Sequence, residues 1–146
     1  MQNNILICAI LGNIIAQVLK VVINFFTEKE FNIKRLIGAG GMPSSHSSTV
    51  AALATAIYIE YGINSPYFAL AVIFGLIVLS DAAGVRNAAG KHAEILNVLK
   101  DDLQYLLSKN FDNIRLKELL GHTRIQVIIG TLIGIGTALT YYWIVG

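Results

Sequence analysis

The sequence predicts an all-α fold: a polytopic membrane helix bundle of about four transmembrane helices with one amphipathic interfacial helix. Hydrophobic residues make up 55% of the 146 residues and charged residues only 14%, whereas soluble domains contain about 25% charged residues. The mean hydropathy is +0.63. Several apolar segments approach the roughly 20 residues that a spanning helix requires. This length predicts a single domain, residues 1–146.

Four spans are expected along the chain. They cover residues 5–26, 45–61, 67–86 and 123–145. The first has no basic start and no small-residue cleavage site, so we interpret it as a retained helix rather than a signal peptide. The second is short, and a serine at position 44 or 45 is expected to cap its start.

A further helix is predicted between the third and fourth spans, at about residues 89–108. Ile95, Leu99, Leu103 and Leu106 recur there at helical spacing, with charged residues between them. This pattern is typical of an amphipathic helix. Two arrangements remain open: the helix lies at the membrane interface, or it packs on the bundle without contacting lipid.

The positive charges predict the orientation. All 11 Lys and Arg residues fall on one side of the four-helix arrangement, while the N-terminus, the turn at 62–66 and the C-terminus carry none. Basic loops remain on the cytoplasmic side of a membrane. We therefore expect an integral protein of a bacterial plasma membrane with both termini outside and both long loops inside.

Composition also restricts the function classes. A net charge of +2 gives no indication of a nucleic-acid partner. The single Cys8 excludes disulfides and cysteine-based metal sites. His46, His92, His122 and Asp81 could supply metal ligands, but no pair has the usual ligand spacing. We expect no metal and no other cofactor; a homo-oligomer is compatible with the sequence.

Polar residues follow one face of the first helix. Asn13, Gln17, Lys20 and Asn24 are spaced four, three and four residues apart, which aligns them on a helix. An ionisable group inside a span is a functional candidate. The alternative is that Lys20, close to the helix end, extends to the interface; the matching stripe favours an interior position.

The run from residue 40 to residue 48 precedes the second span and contains two glycines, a proline, four serines and a histidine. Gly41 permits a tight turn and close approach to a ligand. A helix that starts at Ser44 or Ser45 exposes free backbone N–H groups, and these favour a bound anion. His46 lies in that first turn and could transfer a proton. A structural histidine in an ordinary helix-joining loop is the alternative.

Two further boundaries carry candidate residues. Asp81 and Arg86 end the third span, where Arg86 could bind two phosphate oxygens or form a boundary salt bridge. His122 begins the fourth span, and Gln126 lies one turn later on the same face. The topology predicts that His46 and His122 lie on the same side of the bundle. Gly130 and Gly134 form a GxxxG pattern, which predicts close helix packing.

These residues resemble the type 2 phosphatidic acid phosphatase (PAP2) superfamily, and more closely its short divergent branch. Pro43-Ser44-Ser45-His46 is similar to the superfamily's Pro-Ser-Gly-His motif, with Ser45 replacing glycine. Gly121-His122 and the residues after it resemble the third motif, with Gln126 at the usual aspartate. The arginine-bearing part of that motif resembles residues 80–86, far upstream. The first motif has no clean match, and Lys20 and Arg35 are the nearest candidates.

The resemblance implies a metal-independent lipid phosphatase that hydrolyses a phosphomonoester or diphosphate of a lipid through a phospho-histidine. His122 would attack phosphorus and His46 would protonate the leaving oxygen. The implied phosphate-binding residues are Lys20, Arg35, Ser44, Ser45 and Arg86, with Asp81, Gln126 and Gly41 in support. The substrate would enter from the bilayer to a site at the cytoplasmic face.

Two departures from the superfamily pattern keep other functions open. Gln126 carries no negative charge, and we hypothesise that Asp81 replaces the missing carboxylate. The long segment between Arg86 and His122 must fold back for its two ends to meet. The alternatives are a weak or inactive relative that binds phospholipid head groups, and a structural membrane protein or transporter subunit.

Overall fold

The computed structural model describes residues 3–28, 41–107, 116 and 121–145, and within these ranges the regular structure is entirely helical. The helices are α1 (Asn4–Glu28), α2 (Ser45–Tyr61), α3 (Pro66–Ala83), α4 (Val85–Leu107) and α5 (Arg124–Val145). This confirms the predicted fold class.

Among the residues that the structure describes, three helical stretches are long and apolar enough to cross a membrane: Asn4–Phe26, Pro66–Leu106 and Arg124–Val145. The 17-residue α2, at the second of the four predicted spans, is not one of them. Their outward faces carry large apolar side chains that are more than half exposed, among them Leu70, Ile77 and Leu132. Such a surface is stable when it faces lipid rather than water.

The 17-residue helix α2 forms the centre of the bundle, because it packs against α1, α3 and α5. Its buried side chains are small. They are Ser45, Ser47, Ser48, Val50, Ala52 and Ala56. In lipid, helices associate through close backbone approach at small residues. The core of this protein is accordingly a set of tight helix contacts rather than a cluster of large side chains.

Glycines of the neighbouring helices make these close contacts. A Cβ added at Gly12 of α1 would lie 2.9 Å from Ala52 Cβ. On α5, a Cβ at Gly130 would overlap the carbonyl oxygen of Ser44, and one at Gly134 would overlap that of Ser48. The predicted GxxxG pattern therefore packs α5 onto α2 within one chain.

The α3–α4 boundary differs from the sequence expectation. The third span was predicted to continue to residue 86, but α3 ends at Ala83, and α4 begins at Val85 rather than near residue 89. Gly84 separates them, and its N–H donates to the carbonyl of Ser80 over 2.8 Å. A Cβ at Gly84 would lie 2.8 Å from that carbonyl oxygen, so glycine permits this break.

Among the described helices, α4 contacts α3 alone. Its apolar residues remain exposed, for example Ile95 at 64% and Leu106 at 74%. The buried Asn97 forms two hydrogen bonds with the backbone of Leu116: it donates to the carbonyl and accepts from the N–H, each over 3.0 Å. This pair holds Leu116 beside α4.

Candidate functional site

The candidate site begins at the N-terminus of α2. Gly41 has a φ of +83°, a left-handed conformation that glycine adopts without strain. Ser44 is the N-cap residue, and its Oγ accepts hydrogen bonds from the N–H of Ser47 (3.3 Å) and from the Ser47 hydroxyl (2.9 Å). Between Ser44 and Ser45, the two caps that the sequence left open, the structure selects the first.

The two candidate histidines lie side by side at this helix start. The ring centroids of His46 and His122 are 6.2 Å apart, and the ring planes are inclined at 53°. His122 is 4% exposed, whereas His46 is exposed. Residues that are far apart in the sequence are therefore adjacent, on the same side of the bundle.

Two backbone hydrogen bonds bring His122 to this position. Carbonyl groups at a helix C-terminus lack partners within their own helix, and the carbonyl of Ala82, at the end of α3, accepts from the N–H of His122 over 3.1 Å. The N–H of Ser44 donates to the carbonyl of Gln126 over 3.2 Å. The start of α2, the end of α3 and the start of α5 thus meet at the histidine pair.

Lys20 faces the interior. It is 2% exposed, and a Cβ added at Gly41 would lie 3.5 Å from its Cγ and Cδ atoms. The aliphatic stem of Lys20 therefore lies close to the turn before α2. No acidic side chain in the described part of the chain forms an ion pair with it. With no acidic partner among the described residues, the charged form of this buried side chain would be stabilised by an anionic ligand.

The polar stripe on α1 continues toward α2. Asn13 donates its side-chain N–H to the Thr49 hydroxyl over 3.0 Å, and Thr49 donates to the carbonyl of Ser45 over 2.7 Å. The hydroxyl of Ser48 donates to the carbonyl of Gly12 over 2.7 Å. These bonds hold the Lys20-bearing face of α1 against the serine-rich start of α2.

Gln126 has a defined structural role. Its Oε1 accepts from the N–H of Thr123 over 3.0 Å, and its own N–H donates to the Thr123 hydroxyl over 3.4 Å. This reciprocal pair is a capping box at the start of α5. Thr123 was not among the predicted site residues, although the Thr-x-x-Gln spacing before an apolar run was a readable signal. Asp81 is half-buried and precedes Ala82, whose carbonyl receives the N–H of His122.

The remaining predicted residues are only partly described. Arg86 is the second residue of α4, but its side chain lies outside the described part of the structure, as does the whole of Arg35. His92 lies on α4. Within the described ranges, no three His, Cys, Asp or Glu side chains are close enough to hold a metal ion.

The fold and this site define a polytopic membrane protein with paired imidazoles and a buried lysine side chain at one end of its bundle. The chain belongs to the Divergent PAP2 family, whose profile matches residues 1–137. It is 39% identical over 144 residues to the uncharacterized membrane protein YuiD of Bacillus subtilis (strain 168), in a match that covers 92% of this chain and 91% of the relative. No solved structure matches the chain. The family resemblance drawn from the sequence is confirmed.

Proposed function

We propose that this protein hydrolyses the phosphate group of a phosphorylated membrane lipid at the cytoplasmic face of a bacterial plasma membrane, with both termini outside. The observation that carries the proposal is the 6.2 Å approach of the His46 and His122 rings at the start of α2. Reacting atoms in a productive complex lie about 3–3.5 Å apart. A phosphoryl group between the two imidazoles would therefore be within reach of both.

The different exposure of the two rings supports different roles. His122 is 4% exposed, so it attacks phosphorus as the nucleophile with little competition from water. The exposed His46 exchanges protons with solvent and donates one to the leaving lipid oxygen. A P–N bond forms on His122 as the P–O bond to the lipid breaks. Water then attacks the phospho-histidine, with His46 as the base that accepts its proton, and inorganic phosphate leaves.

The negative charge of the transferring phosphoryl group requires fixed positive partners. Lys20 supplies a cationic side chain whose aliphatic stem lies beside Gly41. The N-terminus of α2 supplies the positive end of a helix dipole. Arg35 and Arg86, which the family resemblance implies as phosphate ligands, would complete the set from the two basic segments.

The missing aspartate is the main difference from the superfamily's third motif. The described hydrogen bonds of the Gln126 side chain serve the capping box with Thr123. The C-terminal end of α3 offers a substitute, because its carbonyl groups form the negative end of a helix dipole beside His122. Asp81 remains our candidate for the carboxylate that orients the ring.

A phosphate-release panel on the purified full chain tests this proposal. Phosphatidate, phosphatidylglycerol phosphate and a polyprenyl phosphate or diphosphate are supplied in nanodiscs. We expect release from at least one, and its loss in His122→Ala and His46→Ala. His92→Ala is the matched control because His92 lies on α4. An acid-labile phosphoryl adduct on wild-type protein, absent from His122→Ala, would identify the nucleophile. Equal turnover by wild type and His122→Ala would refute the mechanism.

Head-group binding without turnover is the second candidate function. The observation that favours it is the capping role of Gln126, since an aspartate is expected at that position in active relatives. A lipid phosphate that binds with Lys20-dependent affinity, while releasing no phosphate under any condition of the panel, would select this function over hydrolysis.

A further inference from the structure

An apolar groove of about 510 Å³ runs along the outside of the bundle. Its two walls are α3 and α5, and its floor is α2, with Val50, Ala54 and Tyr58 on the floor. Both walls pack mainly on α2 and contact each other only slightly. The gap between them therefore faces the bilayer over most of its length.

Small floor and wall residues set the depth of this groove. Ala54 lines the floor, and Gly75 lines the α3 wall. A Cβ at Gly75 would be 3.9 Å from the Val50 side chain. Between Val50 and Tyr58 the groove extends eight residues along α2, or about 12 Å at about 1.5 Å per residue.

One end of the groove adjoins the histidine pair. Val50 follows His46 by about one helical turn. On α3, Leu79 lines the groove just before Ala82, the residue that binds the His122 backbone. All three helices that form the groove therefore also form the site, and the groove leads away from the imidazoles toward the middle of the membrane.

We propose that this groove holds one hydrocarbon chain of the lipid whose phosphate group lies between His46 and His122. This inference rests on the proposed function for the identity of the head group. Lipid tails are as apolar as the groove lining, so burial alone adds little affinity. The groove instead aligns the chain with the site and restricts the approach of the phosphate, which is the part of binding that accelerates a reaction.

A second apolar groove provides an internal comparison. It has a volume of about 430 Å³ and is lined by α1 and α5 residues that include Leu11, Gly136 and Tyr141. Tyr141 donates its hydroxyl proton to Asn4, at the start of α1, so this groove reaches the end of the bundle opposite to the histidines. A chain that extends from a phosphate at the site would enter the first groove and avoid the second.

Photolabelling tests the inference without requiring catalysis. The probe is a hexadecylphosphonate with a mid-chain diazirine, added to the full chain in nanodiscs. Its control is the matching alcohol, which has the same chain and no anionic head. We expect the phosphonate to label groove segments 68–79 and 131–139 on the order of tenfold more than the alcohol does, with similar labelling of the second groove by both probes.

Two variants make the test specific to the groove. Ala54→Phe fills the floor of the groove, whereas Ala69→Phe introduces the same residue on an exposed position of α3 outside the lining. Ala54→Phe should abolish the phosphonate-specific labelling, and Ala69→Phe should retain it. Equal groove labelling by phosphonate and alcohol in wild type would overturn the inference, whatever the folding of either variant.

The outcomes for the groove and for hydrolysis are separable. Groove labelling by the phosphonate in a protein that releases no phosphate would support the groove and reject hydrolysis. Phosphate release together with equal labelling by both probes would support hydrolysis and reject the groove.

Discussion

Gly130→Ala perturbs the contact on which both the bundle and the site depend. A Cβ at Gly130 would overlap the carbonyl oxygen of Ser44 and lie 3.1 Å from Ser47 Cβ. The obstructing oxygen belongs to the backbone of the α2 N-cap, so rotation of a side chain cannot relieve the overlap. We expect α5 to retreat from α2 by roughly 1 Å.

The expected change in the free energy of unfolding combines two opposing contributions. Overpacking a tight contact costs about 1–3 kcal/mol, and replacing glycine with alanine within a helix returns up to about 1 kcal/mol. Because the obstructing atom belongs to the backbone, the cost lies in the upper half of that range, about 2–3 kcal/mol, and subtracting about 1 kcal/mol leaves a net loss of stability of about 1–2 kcal/mol. For a chain of this size, about 2–4 °C per kcal/mol converts this into a fall in Tm of about 2–8 °C.

Gly136→Ala is the matched control on the same helix. A Cβ at Gly136 would have no neighbour within 4 Å, so only the helix-propensity term remains. We expect its Tm to be unchanged or to rise by up to about 4 °C. Both variants are measured by thermal unfolding in one detergent, together with phosphate release at a temperature where both are folded.

In Gly130→Ala, the rate of phosphate release should fall together with the stability. The Ser44 N–H bonds the Gln126 carbonyl across the same contact, and a displacement of about 1 Å can reduce a rate by as much as about 100-fold. A Gly130→Ala protein that melts with wild type, or a Gly136→Ala protein destabilised as strongly, would refute the close-contact explanation of this bundle.

Three further variants probe single contacts. Gln126→Glu keeps an oxygen that can cap α5 and adds a negative charge one helical turn from His122. The initial rate of phosphate release should therefore rise at least about tenfold, with about 10⁴-fold as the upper limit. An unchanged initial rate would contradict this prediction. Lys20→Met should abolish the rise in Tm that added phosphate produces in the wild type. That rise corresponds to about 2.7 kcal/mol of stabilisation at a phosphate concentration of about 100 times Kd. If scanning fluorimetry records the same rise in Lys20→Met as in the wild type, Lys20 does not bind the anion. Asn97→Leu removes two hydrogen bonds to Leu116, worth about 1 kcal/mol each. Amide hydrogen exchange at Leu116 should therefore accelerate about 30-fold. An unaltered exchange rate would show that these bonds do not hold Leu116 beside α4.

Local signals in the sequence predicted much of the site. The Gly41 turn and the serine cap at the start of α2 follow from the conformational preferences of adjacent residues, and both occur in the structure. The polar spacing on the first helix favoured an interior Lys20, and its 2% exposure agrees. The capping box of Thr123 and Gln126 was equally local, but the interpretation of Gln126 as a replaced aspartate obscured it.

The sequence by itself determined the helical class, the long apolar segments and the placement of both histidines on one side of the bundle, because these depend on residue type and on spacing within one segment. The tertiary structure alone decided that Ala82 binds the His122 backbone, that Lys20 packs beside Gly41, and that the imidazoles are 6.2 Å apart. Those contacts join distant segments, and they depend on how closely small residues let the helices approach α2. Spacing along one helix contains no record of which other helix it will meet.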